Sequence, residues 1–502
     1  MKNFRVAFAA VFYAGSLFAA PEPACLFGDH MVLQRGKSVP VWGTAAAGEV
    51  VTVKFGGASV TVETAADGKW RVELPAMEAS KEPRELVIGS KDGEKRYADV
   101  VVGDVWLCSG QSNMQFEMWP KPAVETHAGR ELNGYYDLRL TDEPLVRGVT
   151  VTCKWSADPI GRERFPWHAF RPENAAALST FSAAAWHFAV TIHRATGVPL
   201  GVIESCWGGT NIEPWISPSG YAMSEHFKEN AVKAVRTGND AQGRPIASQY
   251  CPRAIWNAMI SPLVPYALKG AIWYQGEANR NNWNQYYELL NALRGGWAKD
   301  FGCGDDMPFY ICQIAPFDYS CWSRNALPGA DGYEAADQGS SRIREEMARW
   351  GIERAPSGGC VNLSDVGEVD CIHPGDKRAV GIRLAAMALN RLYGFKELKC
   401  DAPVFKEAKL SEDGTKVVLS FDNVEGWCKK GEYVPRFELA GADGVFKPVA
   451  CELKAKVRTI TLAVPEGMTP AEVAYLRKEC VHSFIKNEAG LPLGPFRGAI
   501  SK

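Results

Sequence analysis

Ser112 lies in Val105-Trp106-Leu107-Cys108-Ser109-Gly110-Gln111-Ser112-Asn113-Met114, where a short apolar run ends in a Ser-Gly pair and a second serine sits between two amides. That pattern suits a buried strand closing on a tight loop that presents one hydroxyl. Gly110 frees the backbone for unusual dihedrals, and Gln111 and Asn113 bring polar groups to either side of Ser112. The same residue types also make an ordinary strand-to-turn junction, so chemistry at Ser112 depends on partners elsewhere in the chain.

A hydroxyl needs a base titrating near neutral pH, and only eight histidines are available. His373 stands in Asp370-Cys371-Ile372-His373-Pro374, in a loop with Asp365, Glu368, Asp370 and Asp376. Asp370 can orient the imidazole if the loop folds back. The segment would equally serve as a surface loop with a helix-capping Asp, or as a metal site. A calcium loop, however, wants a regular alternation of oxygen ligands, which is missing. Trp207-Gly208-Gly209-Thr210 offers a bare backbone N–H at Gly209, or a plain turn. Gln275-Gly276-Glu277-Ala278-Asn279 offers side-chain amides at Gln275 and Asn279, with Glu277 either an anchor or a rival to Asp370. A hydroxyl, a base with its carboxylate, and oxyanion donors make up the requirements of acyl transfer. His168, His187 and His193 are better explained as helix or loop residues.

The elements that must position these groups follow from the hydrophobic pattern. Residues 24 to 103 alternate in short β-type runs cut by turns (Ser38 to Gly43, Val50 to Phe55, Trp70 to Leu74), which predicts a small β-sandwich. From Gly103 the texture becomes strands alternating with helices. Val105 to Cys108, Leu200 to Ser205, Gly270 to Tyr274 and Phe309 to Ile314 are strands. Phe181 to Thr196, Tyr286 to Trp297 and Arg378 to Leu392 are helices. This predicts an α/β fold with a mostly parallel sheet and helices on both faces. Beyond Cys400 the β texture returns. The expected organisation is an export signal over residues 1–20, an N-terminal β-sandwich over 21–103, an α/β catalytic domain over 104–398 and a C-terminal β-rich module over 399–502. Ligands of open α/β sheets bind at the carboxyl ends of the strands. Three of the four polar segments directly follow strands, and the fourth precedes the last long helix.

Lys+Arg 56 against Asp+Glu 58 leaves a formal charge of -2, which supplies no basic field for nucleic acid or an anionic membrane. A neutral or small partner such as a sugar fits better. Lys2 and Arg5 precede an apolar run from Val6 to Ala20, too short for a comfortable span, which predicts export to a periplasm, the cell exterior or, in a eukaryote, a secretory or lysosomal compartment. The 14 cysteines permit disulfides there but include no Cys-x-x-Cys pair for zinc. No metal or organic cofactor is expected.

Ser109-Gly110-Gln111-Ser112-Asn113-Met114, Trp207-Gly208-Gly209-Thr210, Trp273-Tyr274-Gln275-Gly276-Glu277-Ala278-Asn279 and Asp370-x-x-His373-Pro374 together resemble the sialate O-acetylesterase family of SGNH (GDSL-like) hydrolases. Asp29 to Arg35, Asn257 to Leu263 and Gly490 to Arg497 extend the resemblance over nearly the whole mature chain. It implies an SGNH-type catalytic domain with Ser112 as nucleophile, His373 as general base and Asp370 as its orienting carboxylate. The implied oxyanion donors are the amides of Ser112 and Gly209 and the side chain of Gln275, or else Asn279. It further implies hydrolysis of acetyl esters on sugar hydroxyls, O-acetylated sialic acid foremost, with another glycan such as acetylxylan as the alternative. A catalytically dead carbohydrate-binding protein would require loss of Ser112, Asp370 or His373, and all three residue types are in place. Cys371 departs from the family's pattern inside the histidine loop, where it is expected to be able to pair with Cys360.

Overall fold

The computed structural model describes residues 20–119, 134–161, 163–240, 243, 246–319, 339–368, 371–429, 436–478 and 482–502. The leader expected over residues 1–20 therefore falls outside the described residues except for Ala20, as does Asp370. Among the described residues no helix is long and apolar enough to cross a membrane.

The organising element is the 18-residue strand Gly93–Gly110. Its first half pairs antiparallel with Ser80–Ser90, and its second half runs parallel to Leu200–Cys206 on one side and Gly270–Tyr274 on the other. The main path of the sheet is His168–Phe170, Glu143–Thr150, Leu200–Cys206, Gly93–Gly110, Gly270–Tyr274, Phe309–Cys312, Gly358–Val361. All neighbours on that path pair parallel except the antiparallel edge strand His168–Phe170.

Successive side chains of a strand point to opposite faces, and both faces here are apolar. Val105, Leu107, Ile203, Ala271, Trp273, Phe309 and Ile311 join one core cluster, with residues of the helices Trp283–Asp300 and Gly339–Glu353. Trp106, Cys108, Val202, Ile272, Tyr274, Tyr310 and Cys312 join the other, with the helices Ala183–Thr196 and Lys377–Leu392. Helices thus cover both sides, which is why these strands are continuous hydrophobic runs rather than alternating ones. Trp106 packs edge-on against Phe188 at 5.1 Å on one face, and Trp273 against Trp297 at 5.9 Å on the other. The helix Ala183–Thr196 starts on a Ser182 cap that accepts from the Ala185 N–H, and stops at Gly197 with φ 68.

The expected division between residues 103 and 104 falls inside the continuous strand. Asp104, buried at that point, accepts from Gln34 Nε2 at 3.0 Å and from the Arg35 guanidinium at 2.9 and 3.1 Å. The Gln34-Arg35 pair therefore stitches the N-terminal strands to the parallel sheet. Arg147 adds bonds to the His30 and Asp99 carbonyls. A separate eight-stranded sheet holds most of the C-terminal strands from Val404–Leu410 to Phe496–Ser501 around its own apolar cluster, with Trp427–Lys429 and Ile485–Asn487 paired as a two-stranded sheet beside it. Arg497 reaches back to Glu345 at 3.1 Å, and the Asn362 amide donates to the Pro492 carbonyl at 2.9 Å, which clamps this sheet to the central one. The helix Gly339–Glu353 and the run of helical turns between residues 213 and 263 were not anticipated from the hydrophobic pattern.

Candidate active site

The Gly93–Gly110 strand ends where it is gripped by the Gly270–Tyr274 strand. A Cβ at Gly110 would stand 2.1 Å from the Tyr274 carbonyl oxygen, and φ there is +143°, so the position requires glycine. The chain then turns directly into the single helical turn Ser112–Gln115, with Gln111 as its cap residue. Ser109 faces inward and donates to the Ser205 carbonyl at 2.5 Å, whereas Ser112 is half-buried at the start of the turn. The two serines thus have separate tasks.

His373, 261 residues further along, comes to Ser112: Nε2 lies 2.8 Å from the Ser112 Oγ. Burial first, and the nearby Lys377 charge second, push the His373 imidazole down to about 4. The ring is therefore neutral at pH 7, and in the tautomer that leaves Nε2 bare it accepts the Ser112 hydroxyl proton. Among the described residues no carboxylate is hydrogen-bonded to this ring; Asp370, expected to orient it, lies outside them. Glu368, on the same loop, accepts from the Gly375 N–H at 2.8 Å.

Gly208 and Gly209 follow the Leu200–Cys206 strand, and Gly208 lies against the Ser112–Gln115 turn. A Cβ at Gly208 would meet the Ser112 Cβ at 3.2 Å and Gln115 Oε1 at 3.3 Å. The Gly208 N–H donates to Gln115 Oε1 at 2.7 Å. Gly209 has φ +74°, and its N–H finds no acceptor among the described residues. Gln115, absent from the sequence-based site, is what clamps this loop. Its signal was available: it stands three residues after Ser112, on the same face of a helical turn.

Gln275 is corrected by the structure. Its side chain is fully buried, donates both amide hydrogens to the Thr210 carbonyl (3.2 Å) and Asn279 Oδ1 (2.7 Å), and accepts from the Tyr286 hydroxyl at 2.8 Å. No amide hydrogen remains for an oxyanion, so Gln275 is framework. Asn279 is also buried. It accepts from the Ile212 N–H at 3.0 Å and donates one hydrogen to Glu213 at 3.0 Å, leaving a second that no described residue accepts. Glu277 bonds Asn113 Nδ2 at 2.6 Å and does not contact His373. Burial raises its pKa, opposed by the Asn113 bond and the Lys377 charge.

The pairing of Cys371 with Cys360 is also corrected. Cys360 is a thiol whose Sγ points at the Val361 carbonyl, and Cys371 Sγ donates to the His373 carbonyl at 3.2 Å. His193 Nδ1 donates to the Val198 carbonyl, 2.7 Å away, at the end of its helix; His187 sits in the same helix; His168 lies on an edge strand rather than in a helix or loop. Among the described residues no group of three or more His, Cys, Asp or Glu side chains gathers to hold a metal ion.

Comparison with known proteins places the chain among esterases. The family of carbohydrate esterases described as sialic acid-specific acetylesterases matches residues 102–328, a span that contains Ser112, Gly209 and Asn279 and ends before His373. The sialate O-acetylesterase of Rattus norvegicus is 29% identical over 447 residues, covering 80% of this chain and 78% of the rat protein. That of Homo sapiens is 29% identical over 422 residues, covering 77% and 74%. A carbohydrate acetylesterase of known structure from Xanthomonas citri is 30% identical, superposes with a TM-score of 0.79, and covers 95% of this chain and 99% of its own. The chain belongs to the sialate O-acetylesterase family and is a carboxylic-ester hydrolase.

Proposed function

We propose that this esterase removes acetyl groups from sugar hydroxyls, with O-acetylated sialic acid as its substrate class. The names of the rat and human relatives support that substrate. The observation that carries the chemistry is the 2.8 Å contact between His373 Nε2 and the Ser112 hydroxyl. We take the parallel sheet as an SGNH-type core, a reading supported by the position of the nucleophile, the Gly208-Gly209 loop and Asn279 beyond the carboxyl ends of adjacent strands.

In the proposed mechanism Ser112 Oγ attacks the acetyl carbonyl carbon while its proton passes to His373 Nε2. The oxyanion of the tetrahedral intermediate is met by the Ser112 and Gly209 N–H groups and by the remaining Asn279 amide hydrogen. The C–O bond to the sugar breaks, and His373 returns the proton to the leaving sugar oxygen. Water, deprotonated by the same imidazole, then attacks the acetyl-serine and releases acetate. Asp370 is assigned the role of holding the imidazole in the required tautomer.

The test is Ser112→Ala. Acetate release from p-nitrophenyl acetate and from O-acetylated sialic acid should fall by on the order of 10⁴–10⁶ in kcat, with an unchanged circular dichroism spectrum. Retained turnover would remove Ser112 from the nucleophile role. Assaying the wild type on acetylxylan in parallel decides the sugar: faster acetate release there than from O-acetylated sialic acid would overturn the substrate class while leaving the mechanism standing.

A further inference from the structure

The histidine loop is held by its backbone, and one of the holding groups traces to a buried carboxylate. Asn113 is almost fully buried and donates both amide hydrogens, one to the Ile372 carbonyl at 3.0 Å and one to Glu277 Oε1 at 2.6 Å. Lys377, fully buried, donates to the Pro374 carbonyl. The carbonyls of Ile372 and Pro374, on either side of His373, are thus each held by a buried side chain. The first grip traces to Glu277, whose Oε1 accepts from Asn113.

An asparagine amide can rotate so that its oxygen and nitrogen exchange places. Among the described residues Asn113 Oδ1 has no hydrogen-bond partner, so none of them fixes its orientation from that side. Glu277 does so from the other side, because the flipped amide would put Oδ1 against a carboxylate oxygen. The flip would also turn Oδ1 toward the Ile372 carbonyl and release the loop. Glu277 is itself anchored: it opens the turn Glu277–Asn282 directly after the Gly270–Tyr274 strand, which pairs with the strand that delivers Ser112. The carboxylate thus ties the histidine loop to the same sheet edge as the nucleophile.

We propose that Glu277 is a positioning residue for this esterase: acting through Asn113, it sets the His373 imidazole against the Ser112 hydroxyl without touching either reacting atom. The inference rests on Ser112 and His373 being the catalytic pair. It differs from a direct Glu277–His373 partnership and from a purely structural anchor, and each of these gives different kinetics.

The experiment uses the full chain and p-nitrophenyl acetate, comparing wild type, Glu277→Ala, Glu277→Gln and Ser112→Ala for kcat, KM and melting temperature. Displacing a catalytic group by about 1 Å costs on the order of 10² in rate. Glu277→Ala should therefore lose about 10²-fold in kcat with KM changed less than about 3-fold. Glu277→Gln keeps an oxygen for Asn113 Nδ2 and should recover about 10-fold of that loss. Wild-type kcat in Glu277→Ala would overturn the proposal, and so would Glu277→Gln as impaired as Glu277→Ala, since the carboxylate charge and not the acceptor would then be what matters. If Glu277→Ala does not fold, Asn113→Leu takes its place: the same kcat loss at constant KM supports the relay, and wild-type kcat ends it. Full turnover by Ser112→Ala would instead strike the underlying catalytic assignment, an outcome separate from all of these.

Discussion

Ser109 and Ser112 stand three residues apart, and the polar clusters they belong to are built on opposite plans. Around Ser109 the groups are buried and their bonds close within the protein. Its hydroxyl donates to the Ser205 carbonyl, and the Ser205 hydroxyl donates to the Met259 carbonyl at 3.2 Å. Next to them Glu204 Oε2 accepts from Thr150 Oγ1 at 3.0 Å and from the Ser182 N–H at 3.2 Å. Burial pushes Glu204 up to about 8, so it is largely neutral at pH 7 and the cluster carries little charge. Around Ser112 the plan is reversed: Ser112 and His373 are partly exposed, and among the described residues the Gly209 N–H has no acceptor and one Asn279 hydrogen is unused. A closed polar network rigidifies what it joins, and an open one is poised for a ligand. The two are connected, since Ser182 caps its helix and also donates to the Met114 carbonyl at 2.6 Å, inside the nucleophile turn.

The contrast is broken most sharply by disturbing the open cluster without touching a reacting atom. Gly208→Ala brings a methyl within 3.2 Å of the Ser112 Cβ and 3.3 Å of Gln115 Oε1, so the loop carrying Gly209 must shift. A displacement of that kind should cost about 10²-fold in kcat, with melting temperature nearly constant. Steady-state kinetics beside a thermal melt checks it, and a kcat within 2- to 3-fold of wild type would mean the Gly208-Gly209 loop takes no part in the reaction.

The next effect is on pH. His373 is depressed to about 4, so its neutral, proton-accepting form persists until the pH falls through that value, and activity is lost only below it. kcat/KM follows the free enzyme. At pH 5 an imidazole at the ordinary value of about 6.5 would be only about 3% neutral, whereas this enzyme should retain most of its neutral-pH kcat/KM. An acid limb near 6.5 would show that the burial and Lys377 charge acting on His373 are offset by another group.

Much of the reacting edge was legible before any coordinates, because it depends on residue type and on position after a strand. Ser112, Gly209 and His373 are each signalled by a polar or glycine residue where an apolar run stops or a loop precedes a helix. What was hidden depends on which way a side chain turns. Gln275 and Asn279 look equivalent in sequence, yet Gln275 follows its strand directly and points down to Tyr286, where both amide hydrogens are consumed. The role of Glu277 is illegible for the same reason, since its partner Asn113 lies 164 residues away and only the tertiary fold brings them together. The change of texture at Gly103 is real as a pattern, but the backbone continues through it as one strand because Asp104 is held by Gln34 and Arg35. The helix Gly339–Glu353 buries Ile343, Met347 and Trp350 while its other face is rich in Arg and Glu, which masked its apolar stripe.

The smallest effect sharpens the comparison from the closed side. Ser109→Ala removes the hydroxyl that bonds the Ser205 carbonyl in a site with no solvent access, so no water replaces it. A buried hydrogen bond of this type contributes about 0.5–1.5 kcal/mol. The variant should unfold at a lower urea concentration while kcat stays within about 2-fold of wild type, because the Ser205 bond lies below the strand end and the turn from Gln111 to Gln115 keeps its own backbone bonds. The same substitution type three residues on, at Ser112, is expected to do the opposite: abolish turnover and leave the urea midpoint unmoved. If Ser109→Ala lost activity as steeply as stability, the two clusters would be one mechanical unit, and the division between a closed support and an open reacting edge would fail.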